Sequence, residues 1–197
     1  TEYECRFVMT DPDGTTGQTT HTVKVKTRTE PMPYQGGRTL HVYPPDYFGP
    51  RQEPSFTGIL QAYYGAGLGE PGDTLLMHSG LYRPERLDYV DPMMAPFDGS
   101  MSLTLKGTAE KPITIKAAGD GEVILDGDNN HRLLDVMASR HHIIEGLTFR
   151  NTDVAIFAGQ KEVTGAVALT VKNCRFENVG FGVWTEYAGS SDFYIAD

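Results

Sequence analysis

"ALTVKNCRFENVGFGVWTEYAG" (residues 168–189) repeats the pattern of "HHIIEGLTFRNTDVAIFAGQKE" (141–162), 27 positions earlier. Ile144, Leu147, Phe149 and Asn151 fall over Val171, Cys174, Phe176 and Asn178. Apolar residues recur at alternate positions, which is the periodicity of a strand. The alternation breaks at Gly146 and Asn173, residue types that tolerate positive φ, so a corner between strands is predicted there. The first-strand positions Ile115, Ile144, Val171 and Ile195 are 29, 27 and 24 residues apart. That spacing is one turn of a three-strand solenoid, and a repeat of this length is its sequence signature. Alternation places Ile144, Leu147, Phe149, Val171, Cys174 and Phe176 inside, and the aligned Asn151 and Asn178 in a stacked polar column.

Size and composition agree with such a fold. The chain has 197 residues with 22 Gly and 12 Pro, so turns are frequent and long helices scarce. Seventeen basic against 26 acidic residues leave a net charge of −9, with no Lys/Arg run. That argues against nucleic acid or an anionic membrane as partner. No apolar run reaches the ~20 residues of a membrane-spanning helix. Cys5 and Cys174 stand in segments of different character and read as buried small hydrophobes rather than a disulfide pair.

Three regions follow along the chain. Residues 1–29 read as a hairpin: Tyr3, Cys5, Phe7 and Met9 alternate, a "DPDGTTGQ" turn follows, and "TTHTVKVKT" is β-branched. Residues 30–54 hold six prolines among several aromatics and read as a semi-rigid linker. From residue 55 a short amphipathic helix is expected, capped by Ser55, with Ile59, Leu60 and Tyr63 on one side. The turn "PGDT" and the strand "LLMHSGLYR" come next.

Two stretches resemble known families. Tyr3, Asp11, Asp13, Gly14, Val23 and Val25 resemble the end of a PKD or related immunoglobulin-like module, which implies an extracellular spacer. Gln61, Ala62, Pro71, Gly72, Asp73, Thr74, Gly80 and Tyr82 resemble the opening of right-handed parallel β-helix proteins of the pectin-lyase-like superfamily. The stretch "GTAEKPITIKAAGDGEVILDG" (107–127) is similar to polysaccharide lyases of the alginate and chondroitin type. The fold class these resemblances imply is all-β: a right-handed parallel β-helix with three strands per coil and a short N-terminal capping helix, over residues 55–197. A partial β-sandwich hairpin precedes it, and the β-helix stops in mid-coil at Asp197.

The resemblance further implies polysaccharide ligands on the outer face of a stacked sheet. With Leu134, Val136, Val154, Ile156, Phe181 and Val183 pointing inward, one outer column holds Asp135, Ala155 and Gly182. The next holds Met137, Phe157 and Trp184, with Glu186 and Tyr187 beyond. Aromatic faces beside a carboxylate suit sugar rings, so Asp135, Phe157, Trp184, Glu186 and Tyr187 are the candidate substrate-binding residues. The competing reading is that loop 84–100, or Tyr43, Tyr47 and Phe48, covers this column. Asp135, Asp153 and Glu186 are positioned for glycoside hydrolysis. Lys116, Arg140, Glu145, Arg150 and Lys172 lie on strands where a β-elimination would draw its base and cation; a solvated strand face is the plainer reading of each. No catalytic residue is carried over from the lyases.

Calcium is the one cofactor considered. Asp11 and Asp13, and "DGDNN" (126–130), offer oxygen ligands, although polar turns account for both. Arg140-His141-His142 reads as a turn, since adjacent histidines on a strand face opposite ways. No metal site is expected. The functional expectation is a secreted or cell-surface protein that binds or degrades polysaccharide, as a lyase or a glycoside hydrolase. Its rival is a non-catalytic fibre protein using the solenoid as a rigid rod. In that case the uncapped strand edge at Asp197 would associate with another chain.

Overall fold

The computed structural model describes residues 2–10, 12–14, 16–26, 29–65, 70–84 and 99–196. Asp11, most of loop 84–100 and Asp197 lie outside the described residues. The chain forms two compact units, Thr1–Glu30 and Pro31–Asp197. Its fold class is all-β with parallel sheets and one short helix.

In the first unit, β1 (Glu2–Val8) and β2 (Thr20–Lys26) pair antiparallel, with Cys5 opposite Val23. Tyr3, Phe7, Val23 and Val25 are exposed. Cys5 is exposed as well, against the expectation of burial. A two-stranded ribbon has no second layer to cover its apolar residues.

The second unit begins with β3 (Thr39–Tyr43), β4 (Ser55–Thr57), α1 (Ile59–Gly65), β5 (Thr74–Met77), β6 (Gly80–Tyr82) and β7 (Met101–Ser102). It continues with β8 (Ile113–Ala117), β9 (Val123–Asp135), β10 (Arg140–Glu145) and β11 (Thr148–Gln160). The last elements are β12 (Thr164–Gly165), β13 (Val167–Lys172), β14 (Arg175–Thr185) and β15 (Tyr194–Ala196). Strands β15-β13-β10-β8-β5-β3-β4 form a seven-stranded sheet whose pairings are all parallel. Leu40, Leu75, Ile115, Ile144, Val171 and Ile195 stand in one register row across it. The spacings of 29, 27 and 24 residues are therefore the register of this sheet. Leu40, Leu75, Ile115, Ile144 and Val171 are buried, each contributing about 1.5–3 kcal/mol.

The second sheet runs β12-β11-β9-β6, with β14 pairing β11 and β7 pairing β9. Here the 27-residue offset pairs Phe149 with Phe176, whose rings stack at 5.4 Å. The corners fall where Gly146 and Asn173 were expected, at φ 72° and 52°, and the column residues Asn151 and Asn178 take left-handed backbone as well, at φ 53° and 52°. Asn178 Nδ2 donates to Asn151 Oδ1 at 2.9 Å, and Asn151 Nδ2 donates to Asp126 Oδ1 at 3.2 Å. The polar column thus has three members and continues one strand earlier, into β9, than the repeat suggested.

Two expectations are corrected. Residues 30–54 are not a linker, because Leu40 and Val42 of β3 enter the core and the strand pairs on both sides. Arg38 of the same segment donates to both carboxylate oxygens of buried Asp73, at 2.6 and 3.1 Å, and Glu70 N–H donates to it at 2.7 Å. This is what the acid of "PGDT" does. Gly37 permits the contact, since a Cβ there would fall 1.8 Å from the Gly72 carbonyl oxygen. Ser55 does not cap the helix; it lies in β4, and Gly58, at φ 76°, precedes Ile59. On α1, Ile59, Ala62 and Tyr63 are buried while Leu60 faces out.

Tyr63 ties the helix to the sheet. Its hydroxyl donates to His142 Nε2 at 2.8 Å and accepts from Leu105 N–H at 2.7 Å. The His142 Nδ1–H donates to the Arg140 carbonyl at 3.2 Å, which fixes the neutral tautomer. Burial pushes the His142 pKa down to about 4.

Candidate functional site

The outer side of β9, β11 and β14 holds the expected site. Register pairs Asp135 with Phe157 and Phe157 with Trp184, so these three residues form one row across adjacent parallel strands. Asp135 was expected beside Ala155, two positions away from its actual partner. The strands bend at Asp128, Asn129 and Asn151, and β9 has an irregularity opposite Arg150–Thr152, which shifts the later pairing.

Strict alternation also fails past the bend. Ala155, Ile156 and Ala158 all join the core, so consecutive residues 155 and 156 both contribute to it. The direction of a Cβ on Gly182 leads to the Phe176 ring at 3.6 Å, which marks an inward position. Ala155 and Gly182, expected outside, are therefore inside. Phe181, expected inside, is 51% exposed.

Phe181 and Trp184 meet edge to face at 4.1 Å. Beside them, Phe157 is only 3% exposed, because the Arg132 guanidinium lies over its ring at 3.7 Å. The exposed aromatic column is thus corrected at Phe157: an arginine covers it. Arg132 escaped the sequence reading because the β9–β11 register shifts at the bend, and Phe181 because its strand changes facing there while its pairing with Val154 keeps the 27-residue offset. The repetition of small residues at 155 and 182 was the available signal, since side chains facing a narrow core next to Phe176 must be small.

Asp135 is half-buried, and its Oδ1 accepts Met137 N–H at 3.0 Å. Burial raises its pKa, with the Met137 N–H and Arg132 opposing. Glu186 is exposed in the turn after β14. Tyr187 is half-buried and packs on the β11–β12 hairpin, where a Cβ on Gly159 would come within 2.9 Å of its own Cβ. Tyr187 therefore shapes a turn.

The other charged candidates are engaged in local pairs. Asp153 bonds His131 at 3.0 Å, both exposed. Glu145 pairs with Lys172 at 3.5 Å, and Arg150 with Asp126 at 2.8 Å. Arg140 donates to the carbonyls of Ser139 and Gly165. In "DGDNN", Asp126 receives Asp128 N–H, Arg150 and Asn151, which together hold its pKa down against burial. Lys116 lines a cleft of about 180 Å³ with Thr39, Thr74 and Leu76 on the outer face of the seven-stranded sheet. No group of three His, Cys, Asp or Glu residues among the described residues is arranged to hold a metal. No helix of the described residues is long and apolar enough to cross a membrane.

A second cluster on that face escaped the sequence reading. Asp120 Oδ2 lies 2.6 Å from His78 Nδ1, and Oδ1 accepts Ser79 N–H at 3.0 Å. His78 Nε2 lies 3.0 Å from His41 Nδ1. Tyr43 stacks on His78 at 4.1 Å and on Tyr47 at 4.6 Å, with Arg51 over the Tyr43 ring at 5.2 Å. Tyr43 and Tyr47 thus pack around the histidines, not over Trp184's row. Burial, then His78, lowers the His41 pKa, while Glu53 opposes. His41, His78 and Asp120 are 37 and 42 residues apart, outside the repeat length. Only the row Leu40–Leu75–Ile115 brings their strands together.

Comparison of the chain with protein-family models, with curated proteins and with solved structures finds no match.

Proposed function

We propose that this chain is part of an extracellular polysaccharide-handling protein, built as a right-handed parallel β-helix like those of the pectin-lyase-like superfamily and preceded by the end of an immunoglobulin-like spacer. The observation that carries the reading is the Phe181–Trp184 pair. Two aromatic rings meet edge to face at the surface, with Phe181 half-exposed and the Arg132 cation over Phe157, the strand partner of Trp184. Sugar rings present C–H faces that pack on aromatic faces, and an arginine adds a donor for hydroxyl or carboxylate oxygens. The parallel register supports the reading by repeating the outer rows from coil to coil, as a polymer with a repeating unit requires. The row's carboxyl group, Asp135, is half-buried with its pKa raised, a condition suited to a proton donor.

The test is affinity electrophoresis against acidic and neutral polysaccharides, followed by a depolymerisation assay on those that retard the protein. Retardation by at least one polymer, weakened about tenfold by Trp184→Ala, is expected; tenfold corresponds to about 1.4 kcal/mol. Migration unchanged by every polymer would overturn the reading and favour a rod.

A further inference from the structure

We infer that the His41–His78–Asp120 chain is the proton-accepting arm of an acyl-transfer centre whose nucleophile is Ser55. With both imidazoles neutral, the hydrogen-bond chain has one consistent polarity. A carboxylate only accepts, so His78 Nδ1 carries the proton facing Asp120. His78 Nε2 then holds a lone pair, and His41 Nδ1–H donates to it. His41 is left with a lone pair at Nε2, to which no described residue bonds. A proton arriving at Nε2 creates an imidazolium whose charge is shared through His78 toward Asp120. This is the role an acid–histidine pair performs at a serine nucleophile, extended by one ring.

The topology supplies the nucleophile. β3 runs between β5, which leads into His78, and β4, which carries Ser55. Ser55 is the register partner of His41, on the flank opposite His78. The next pair, Val42 with Phe56, packs toward the core, so His41 and Ser55 share the outward face. The Ser55 hydroxyl donates to Glu53 Oε1 at 2.9 Å, and Ser55 N–H donates to Glu53 Oε2 at 2.9 Å. Rotation about the Ser55 Cα–Cβ bond would release the hydroxyl from Glu53 and turn it within the face that Ser55 shares with its register partner His41. Glu53, His78 and Asp120 are the charged and titratable groups that act on His41. The neutral His41 can take up the proton of a hydroxyl on the same face as that hydroxyl attacks an acyl carbon.

The substrate class is an ester of a small carboxylic acid. The Ser55 proton passes to His41 Nε2 as Oγ bonds to the acyl carbon. The ester C–O bond then breaks, and its oxygen leaves as the alcohol with the proton from His41. Water releases the acid by the same route in reverse. The inference rests on the polysaccharide reading only in taking that alcohol to be a sugar hydroxyl, and its test does not use a polysaccharide.

The test is labelling with a fluorophosphonate, which forms an Oγ–P bond and expels fluoride, read by peptide mass. The folded wild-type chain is expected to carry the label at Ser55 and to hydrolyse p-nitrophenyl acetate, with both lost in Ser55→Ala. His41→Gln slows labelling by about 100-fold. His78 and Asp120 act through His41 and are positioning residues, so Asp120→Asn slows labelling less, about tenfold, and Asp120→Glu restores it. Rescue by the longer acid is a result that mere loss of packing would not give. Absence of label at Ser55 in the folded wild-type chain overturns the inference without requiring any variant to fold. Labelling at an unchanged rate in folded His41→Gln overturns it equally. Neither result bears on Trp184 and the polymer, whose own test stands apart.

Discussion

The two sheets of the larger unit use the same repeat differently. In the seven-stranded sheet, short strands of three to six residues stack Leu40, Leu75, Ile115, Ile144 and Val171 in one row, and the left-handed His141 of β10 and Ala168 of β13 leave that pairing unshifted. In the second sheet, β9 and β11 run for 13 residues each and turn through left-handed residues on the way. The seven-stranded sheet keeps its register from β8 through β10 to β13. The second sheet shifts the β9–β11 pairing at Arg150–Thr152 and loses alternation beyond it, while β11–β14 keeps the 27-residue offset, and past this bend Phe181 comes to the surface. A bend thus converts a wall-building repeat into a local exception, and the exception holds the exposed aromatic pair.

The largest expected effect breaks the shared core. Phe149 is fully buried on Phe176, where the two sheets' contributions meet in one cluster. Phe149→Ala should cost about 3–5 kcal/mol, measured by denaturant unfolding.

Next is the hidden histidine of the seven-stranded sheet. The His142 pKa is about 4 in the folded chain, below its usual value of 6.5, so the unfolded chain takes up the proton first. Its contribution is complete above pH 6.5 and is lost as pH falls toward 4. A full loss is roughly 3 kcal/mol. Unfolding at pH 7, 5.5 and 4 should show a fall that His142→Gln reduces.

The bend itself is sharpened by Asn151→Ala, which puts alanine at φ 53° and removes the link between Asp126 and Asn178. About 1–2 kcal/mol should be lost, with Asn151→Gly recovering the backbone part of it. The smallest effect lies outside both sheets. Val23→Ala, on the exposed β1–β2 ribbon, should change stability by less than about 0.5 kcal/mol.

Legibility in the sequence followed the same division. Ile115, Ile144, Val171 and Ile195 could be aligned by counting, because period-2 alternation and a nearly constant coil length leave one register. Asn151 and Asn178 were readable for the same reason, and because asparagine tolerates left-handed backbone. The strand at 39–43 was hidden by its flanking prolines, which mark its ends: Pro44 follows Tyr43 directly. Asp135, Phe157 and Trp184 were identified as a group, but Arg132 depends on the β9–β11 register shift, and Phe181, whose pairing with Val154 keeps the 27-residue offset, on a change of facing past the bend that no local pattern encodes. His41, His78 and Asp120 are brought together by the parallel pairing of β3, β5 and β8, whose spacing along the chain differs from that of the later strands.

Trp184 is the single tryptophan of the chain, so its fluorescence reports on the proposed surface directly. Titration with the polysaccharide that most retards the protein should shift and saturate the Trp184 emission, and Phe181→Ala should weaken the midpoint several-fold. Emission unchanged at concentrations that retard the protein would place the polymer elsewhere and contradict the account.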